Sequence, residues 1–286
     1  MNQQTYSNYW NGKEMRAKVA YHHAIIMQTQ FQMAIENSVV NSSIYSEELE
    51  TPGLVRNVKS RYKPRIILMP MDTVTALFSI KSEDRICILN FASYKHPGGK
   101  FMEGSSAQEE SLCHSSILYN VLKNSKFDRY YSYNRSNTNN GLYENRAIYS
   151  PRIVFFGAGS GPYLDEKMAD VITCAAPNVK QFYKNIINCN QNNNDIINKV
   201  IYDRCKFVLD IAEYNYVDYL ILGAFGCGVF GCNPRIVSKM FKKAINDGDY
   251  GFKQIIFAIP DDGGHSSNNY YEFVKTFETL YNGWKF

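Results

Sequence analysis

Charge is scarce on this chain, and it is not concentrated anywhere. Only 20% of the 286 residues are charged, the net charge is +4 at pH 7, and no block of like charges stands out. Such a block would mark a nucleic-acid arm or a polybasic membrane anchor. The sequence therefore predicts neither membrane binding nor direct sequence-specific nucleic-acid binding.

Long apolar runs are missing as well. No stretch of about 18 apolar residues is present, and the first residues, MNQQTYSNYWNGKEM, lack the apolar core of a signal peptide. We therefore expect a protein that is not secreted and is cytoplasmic or nucleocytoplasmic.

Cysteine occurs in a pattern that argues against two of its common uses. The seven cysteines are an odd number, and most lie in apolar segments, as Cys87 does in ICILNFA. A reduced thiol in such a place behaves as a small hydrophobic side chain. The closest pair, Cys227 and Cys232, has no further ligands at zinc-site spacing. We expect no disulfide framework, no metal and no cofactor.

Short apolar segments of strand length recur, each followed by turn residues, which is typical of strands buried on both faces. Helical patterns separate them, and this alternation favours a mostly parallel or mixed sheet covered on both sides. The predicted strands are 65–70, 86–92, 152–159, 170–178, 217–228 and 254–261, and the predicted helices are 107–123, 196–215, 233–247 and 268–281.

The first 60 residues differ from the rest, because they show a helical pattern and no strand-like run. We therefore divide the chain into an N-terminal helical extension, 1–60, and an α/β domain, 61–286. Two Asn-rich stretches, 124–148 and 188–195, are predicted to be loops or insertions, since such polar sequence cannot bury enough surface to order itself alone.

A loop with adjacent glycines follows the predicted strand 86–92 and reads HPGGKFMEGSSAQEE over 96–110. Gly98 and Gly99 allow the main chain to approach a ligand closely and to present N–H groups to it. Such a loop favours an anionic ligand, most plausibly a phosphate or diphosphate.

Two neighbouring glutamates, Glu109 and Glu110, follow Gln108 at the start of the next predicted helix. Consecutive helical residues point about 100° apart, so both carboxylates cannot face one reacting atom. One can act as a general acid while the other orients the substrate. Alternatively, the acidic residues only cap the helix and complement its dipole, as in the S-x-x-E pattern from Ser106.

A second glycine-rich loop, GAFGCGVFGCNP, also lies between a predicted strand and a predicted helix. Its N–H groups beside an aromatic ring suit a diphosphate with a ribose or base against the ring. The alternatives are packing glycines in a tight turn, or a dinucleotide fingerprint, which normally belongs to an early strand. The residues concerned are Gly226, Cys227, Gly228, Val229, Phe230 and Gly231.

Together these motifs resemble the signature of the microbial-type poly(ADP-ribose) glycohydrolases. NFASYKHPGGKFMEGSSAQEESLCHSSILY carries that family's strand ending, glycine loop and Gln-Glu-Glu, and VITCAAPN, LILGAFGCGVFGCNP and IIFAIPD follow in the family's order. The resemblance spans about residues 50 to 280. It implies an α/β fold of the macrodomain-like kind, a three-layer α/β/α sandwich with a mixed sheet and an N-terminal helical extension.

The resemblance also implies metal-free hydrolysis of ribosyl O-glycosidic bonds in poly- or mono-ADP-ribosylated targets, with release of ADP-ribose. Glu110 would protonate the leaving group and then activate water, Glu109 would hold a ribose hydroxyl, and Asn90 would contact the ribose at the scissile bond. Gln108 would help to order the loop, and the second loop would wrap the diphosphate with Phe230 against the ribose. The expected partners are ADP-ribose, poly(ADP-ribose) and ADP-ribosylated macromolecules.

One position departs from the family pattern of three successive glycines, because Lys100 follows Gly98 and Gly99. The lysine is expected either to supply charge to the diphosphate or to crowd the distal ribose, and Phe101 after it is expected in the ligand site. A non-catalytic ADP-ribose-binding module, disabled by Lys100, is therefore one alternative function. A dinucleotide oxidoreductase is another.

Overall fold

The structure, a computed structural model, describes residues 12–46, 63–157, 165–186, 191–261 and 263–278. Seven strands occur in these ranges: β1 Ser43–Ser46, β2 Arg65–Met69, β3 Ile86–Phe91, β4 Arg146–Phe156, β5 Glu166–Cys174, β6 Tyr219–Leu222 and β7 Gln254–Ala258. The α-helices are α1 Lys13–Gln30, α2 Gln32–Asn41, α3 Thr73–Ser79, α4 Gln108–His114, α5 Leu118–Leu122, α6 Asp128–Ser136, α7 Val179–Asn185, α8 Gln191–Tyr214, α9 Pro234–Asp247 and α10 His265–Glu278.

The seven strands form a mixed sheet in the order β1-β4-β5-β3-β6-β7-β2. β4 pairs antiparallel with β1 and β5, and all other neighbours are parallel. The carboxyl ends of the parallel strands therefore lie at one edge of the sheet, which is where ligands bind in folds of this kind.

Alternate residues of the central strands enter two separate cores, as the two-residue period of a strand requires. On β3, Cys87 and Leu89 belong to a first core beneath α7 to α10, and Ile86 and Ile88 belong to a second core beneath α1 to α6. Helices thus cover both faces of a mixed sheet. The predicted three-layer, macrodomain-like α/β/α sandwich is confirmed.

The expectation that the first 60 residues contain no strand is wrong. β1 pairs with β4 from Ser43 opposite Tyr149 to Ser46 opposite Arg146. Its sequence, SIYS, is too short to show an alternating pattern. The division of the chain at residue 60 stays a prediction.

The predicted helix 107–123 is two helices, α4 and α5. Ser116 lies between them. Its backbone forms an isolated antiparallel bridge with Phe155 of β4, and its Oγ accepts a hydrogen bond from the N–H of Leu118 at 3.1 Å. A serine that binds the backbone in this way competes with helix continuation.

The two predicted Asn-rich loops are also partly helical. The stretch 124–148 contains α6, whose buried rings Tyr130 and Tyr131 pack into the second core. The stretch 188–195 lies partly outside the described residues, and from Gln191 onward it is helix α8. Among the described helices, none combines the length and the apolar character that crossing a membrane requires.

Candidate active site

The two glycine-rich loops lie side by side at the carboxyl edge of the sheet. Loop 1, residues 92–107, follows β3, and loop 2, residues 223–233, follows the adjacent strand β6. A cleft of about 420 Å³ opens between them and extends to the end of β7 and to α10. Residues that line it include Phe91, Gln108, Ala176, Gly226, Phe230 and Asn269.

Gln108 ties the start of α4 to the end of β3. Its Oε1 accepts the N–H of Phe91 at 2.8 Å, and its Nε2 donates to the carbonyl of Leu89 at 2.9 Å and to Thr73 Oγ1 at 3.3 Å. Both backbone groups belong to the C-terminal end of β3, where the chain leaves the sheet. The amide therefore fixes α4, and the two glutamates that follow, against β3.

Glu109 is buried, with 3% of its surface exposed, and both of its oxygens accept hydrogen bonds. Oε1 accepts from Asn90 Nδ2 at 3.2 Å, and Oε2 accepts from the N–H of Ser93 at 2.6 Å. Burial raises the pKa of Glu109 to about 8, and the nearby Glu110 adds to the rise, while the donors from Ser93 and Asn90 oppose it. Burial therefore favours the neutral form of the Glu109 carboxyl group relative to an ordinary glutamate.

Glu110 is held differently, although it is the next residue. Its Oε1 accepts the N–H of Lys100 at 2.8 Å, while Oε2 accepts no hydrogen bond within the described part of the chain. A Cβ at Gly99 would lie 2.5 Å from Glu110 Oε1 and 2.9 Å from Glu109 Oε2. The backbone of loop 1 thus passes directly over both carboxyl groups.

The backbone also explains why a lysine follows the two glycines. Gly98 and Gly99 have φ values of +66° and +59°, in the left-handed region that favours glycine. Lys100 has φ of −108°, which any residue adopts. Its side chain is 65% exposed, its Nζ lies 3.6 Å from Glu103, and it is not among the residues that line the cleft. The expected effect of Lys100 on the diphosphate or on the distal ribose stays a prediction.

Loop 2 contains four backbone N–H groups without an acceptor among the described residues, and the residues that carry them line the cleft. The N–H groups of Gly226, Gly228, Val229 and Phe230 donate to no group in the described ranges, whereas Gly231 N–H closes the turn onto the carbonyl of Gly228 at 3.2 Å. Free N–H groups at the entrance to a helix form an anion-binding site. α9 begins at Pro234, just after this loop.

The side chains of loop 2 point in different directions. Cys227 is buried, at 3% exposure, and Val229 is 76% exposed. The Phe230 ring lies edge-on to Tyr143 with centroids 6.3 Å apart, and Tyr143 in turn stacks on Tyr94 at 4.1 Å.

The cysteines in the described ranges are all free, and no group of three or more His, Cys, Asp or Glu side chains there is placed to hold a metal ion.

Residues 12–158 match the family model described as "Microbial-type PARG, catalytic domain", which is more than half of the chain. The chain belongs to this family. The predicted recognition is confirmed, and with it a glycosyl hydrolase of the poly(ADP-ribose) glycohydrolase (PARG) type. The alternative of a dinucleotide oxidoreductase is wrong.

Two solved PARG structures show the same fold. The enzyme from Thermomonospora curvata, bound to the inhibitor ADP-HPD, is 25% identical, with a TM-score of 0.80 over 92% of this chain and 100% of that chain. The enzyme from Deinococcus radiodurans, in complex with ADP-ribose, is 25% identical, with a TM-score of 0.77 over 86% and 98%. No match was found among the curated proteins.

Of the residues expected in the ligand site of this PARG-family chain, those that line the cleft are Gln108, Gly226, Gly228, Val229 and Phe230. Phe101 is fully buried, and its ring packs against His114 at 4.6 Å and Tyr119 at 4.9 Å between centroids. The ring does not line the cleft, and a ligand contact of Phe101 stays a prediction. The ring instead anchors loop 1 in the second core.

The sequence reading of this PARG site missed the support that α1 gives to loop 1. Arg16 Nε donates to the carbonyl of Gly104 at 2.7 Å, and a Cβ at Gly104 would lie only 2.0 Å from the carbonyl oxygen of Lys13. The helix and the loop are thus in backbone contact. Gly104 sits in a polar spacer, and nothing in the sequence pointed to a partner 88 residues away.

Proposed function

We propose that the cleft binds ADP-ribose, and that Glu110 cleaves the ribosyl O-glycosidic bond that joins this unit to a polymer or to an ADP-ribosylated macromolecule. The observation that carries the proposal is the difference between the two adjacent carboxyl groups. Both oxygens of Glu109 are engaged, whereas Glu110 keeps Oε2 uncommitted among the described residues. Glu110 can therefore meet a leaving oxygen without loosening the loop.

The proposed reaction uses Glu110 first as an acid and then as a base. As the bond between the anomeric carbon and the leaving oxygen breaks, its electron pair goes to that oxygen, which takes the proton of Glu110. Water then forms a bond to the anomeric carbon and returns a proton to the Glu110 carboxylate. One carboxyl group does both steps, unlike the two carboxyl groups on opposite sides of the bond in most glycosidases.

Asn90 and Glu109 are proposed to hold the ribose. Asn90 is fully buried and donates through Nδ2 to Glu109 and to Thr173 Oγ1, but its Oδ1 has no partner in the described ranges. A buried acceptor without a partner costs free energy, and a ribose hydroxyl would satisfy it. Glu109, which accepts a hydrogen bond from Asn90, would hold a ribose hydroxyl.

Loop 2 is proposed to hold the diphosphate. Its four free N–H groups offer donors without side-chain charge, and the positive end of the α9 dipole lies directly behind them. Phe230, backed by Tyr143, would pack against the ribose. The cleft extends past loop 2 to Asn269, which leaves room for the adenosine part.

A Glu110→Gln variant tests the assignment. We expect kcat on ADP-ribosylated substrates to fall by roughly 10² to 10⁴, which is the usual contribution of a positioned acid, while calorimetric ADP-ribose affinity persists. Glu103→Gln, in the same loop but with an exposed side chain, is the matched control and should keep both properties.

Two outcomes would contradict the proposal. If Glu110→Gln keeps most of the wild-type kcat, Glu110 is not the acid. If the wild-type protein binds ADP-ribose tightly but releases none from polymer, protein-linked or nucleic-acid-linked substrates, the chain is the non-catalytic binding module.

A further inference from the structure

A basic groove runs along the surface between α9 and α10, outside the cleft. It has a volume of about 480 Å³ and is lined by three cationic side chains of α9 and by three residues of α10. Positions three and four apart share one face of a helix, so the cations of α9 form a single row. The lining residues are Arg235, Lys239, Lys242, Glu272, Lys275 and Thr276.

Two of these cations are free to bind an anion. Lys242 Nζ donates to the carbonyl of Thr276 at 2.7 Å, and Lys275 Nζ lies 3.3 Å from Glu272. Arg235 and Lys239 are exposed and form no ion pair within the described part of the chain.

The positive charges of Arg235 and Lys239 are unfavourable for the stability of α9. Arg235 lies in the first turn of α9, which contains no acidic residue, and a cation there opposes the helix dipole. Lys239, four residues on, adds like-charge repulsion. In α8, by contrast, Lys199 is paired with Asp203 at the same spacing. Folding does not explain the row on α9, whereas an external anion would stabilise it.

The groove begins beside the cleft. α9 starts immediately after loop 2, and α10 contributes Asn269 to the cleft and Glu272 to the groove. Three residues of a helix rise about 4.5 Å. A ligand that extends out of the cleft along α10 therefore reaches the basic row within one helical turn.

We propose that this groove binds the phosphates of a second ADP-ribose unit while the first unit occupies the cleft. Every repeat of poly(ADP-ribose) carries a diphosphate, so a polymer that is bound in the cleft through an internal unit presents further anions beyond the adenosine end of that unit, and a single ADP-ribosyl group does not. The inference rests on the proposed function and deepens it, because the groove would favour polymer over mono-ADP-ribosylated substrates.

The test is a double charge reversal, Arg235→Glu with Lys239→Glu. We expect KM for long polymer to rise about tenfold while kcat is unchanged. The slope of log KM against log salt concentration should also fall by about 1.4, which is the change expected when two phosphate contacts on a flexible single strand are lost. The ADP-ribose Kd should stay within about twofold, because a single unit does not reach the groove. The matched control, Lys18→Glu with Lys81→Glu, changes the net charge equally at exposed positions elsewhere.

Five results separate the possibilities. Equal KM changes in the two double variants would mean a bulk charge effect and would overturn the inference. A weakened ADP-ribose Kd in the groove variant would place the residues in the cleft and would also overturn it. Competition by an unmodified RNA strand of equal phosphate number, as strong as that by polymer, would make the groove a nucleic-acid surface instead. A wild-type protein that turns over mono-ADP-ribosylated substrates but no polymer would overturn this inference alone. A wild-type protein without turnover on polymer, protein-linked or nucleic-acid-linked substrates would refute the proposed function itself, and both results are obtained before any groove variant is made.

Discussion

The buried carboxyl group of Glu109 gives the folded protein a pH dependence that is measurable without any substrate. Its pKa is about 8 in the folded state, against an ordinary value near 4.5. Between these values the folded state keeps a proton that the unfolded state has lost. The contribution of Glu109 to the free energy of unfolding is therefore fully present below about pH 4.5 and is lost as the pH rises towards 8.

Glu109→Gln removes this pH-dependent decrease in the free energy of unfolding, because an amide does not ionise. Its oxygen can keep the bond from Ser93, and its NH₂ group can donate to Asn90 if that amide rotates. Three pH units at about 1.4 kcal/mol each give an upper bound of about 4 kcal/mol between pH 5 and pH 8. We expect about 2 kcal/mol, since real buried sites screen charge better than a dry interior.

The measurement is urea unfolding of the wild type and of Glu109→Gln at pH 5, 6.5 and 8. The variant should gain stability relative to the wild type as the pH rises, and other titrating groups cancel in the difference. Glu103→Gln, at an exposed position of the same loop, should show no such trend. A wild-type to Glu109→Gln difference that is constant across this range would refute the reasoning.

Two further predictions concern loop 1 and its attachment. Gly99→Ala should abolish turnover, because its Cβ would lie 2.5 Å from Glu110 Oε1. Lys100→Gly should keep kcat, since the wild-type side chain faces solvent and the backbone φ of Lys100 is ordinary. If steady-state assays show similar losses of kcat in Gly99→Ala and Lys100→Gly, the predicted difference between the two positions is contradicted. Gln108→Ala should lower the free energy of unfolding by about 1 to 3 kcal/mol, because it leaves backbone groups of β3 unpaired. Urea unfolding checks this, and an unchanged stability would mean that water replaces the amide.

The central strands and the start of α9 could be read from the sequence because local signals agree there with the fold. The apolar runs of β3, β6 and β7 lie within their predicted ranges, and α9 begins at Pro234 after the Asn233 cap, as the cap and proline pattern indicates. Residues whose place depends on distant partners could not be read in this way. Ser116 breaks a helix only because β4 lies beside it, and β1 is a strand only because β4 pairs with it.

The same limit applies to the site. The sequence pattern pointed to the two loops and to the adjacent carboxyl groups, but not to their different environments. Which oxygen of Glu110 is free depends on the N–H of Lys100, ten residues earlier. The sequence also did not show that the ring of Phe101, beside the glycine loop, belongs to the second core.

The pairing of β1 with β4 has a consequence for how far the chain can be shortened. β4 spans eleven residues, most of them buried, and β1 pairs with the first four of them, Arg146 to Tyr149. A chain that began after β1 would leave a row of bare N–H and C=O groups on a long apolar strand, which is a template for strand exchange between molecules. We therefore expect removal of the residues up to and including β1 to expose this edge of β4 and to promote association between molecules.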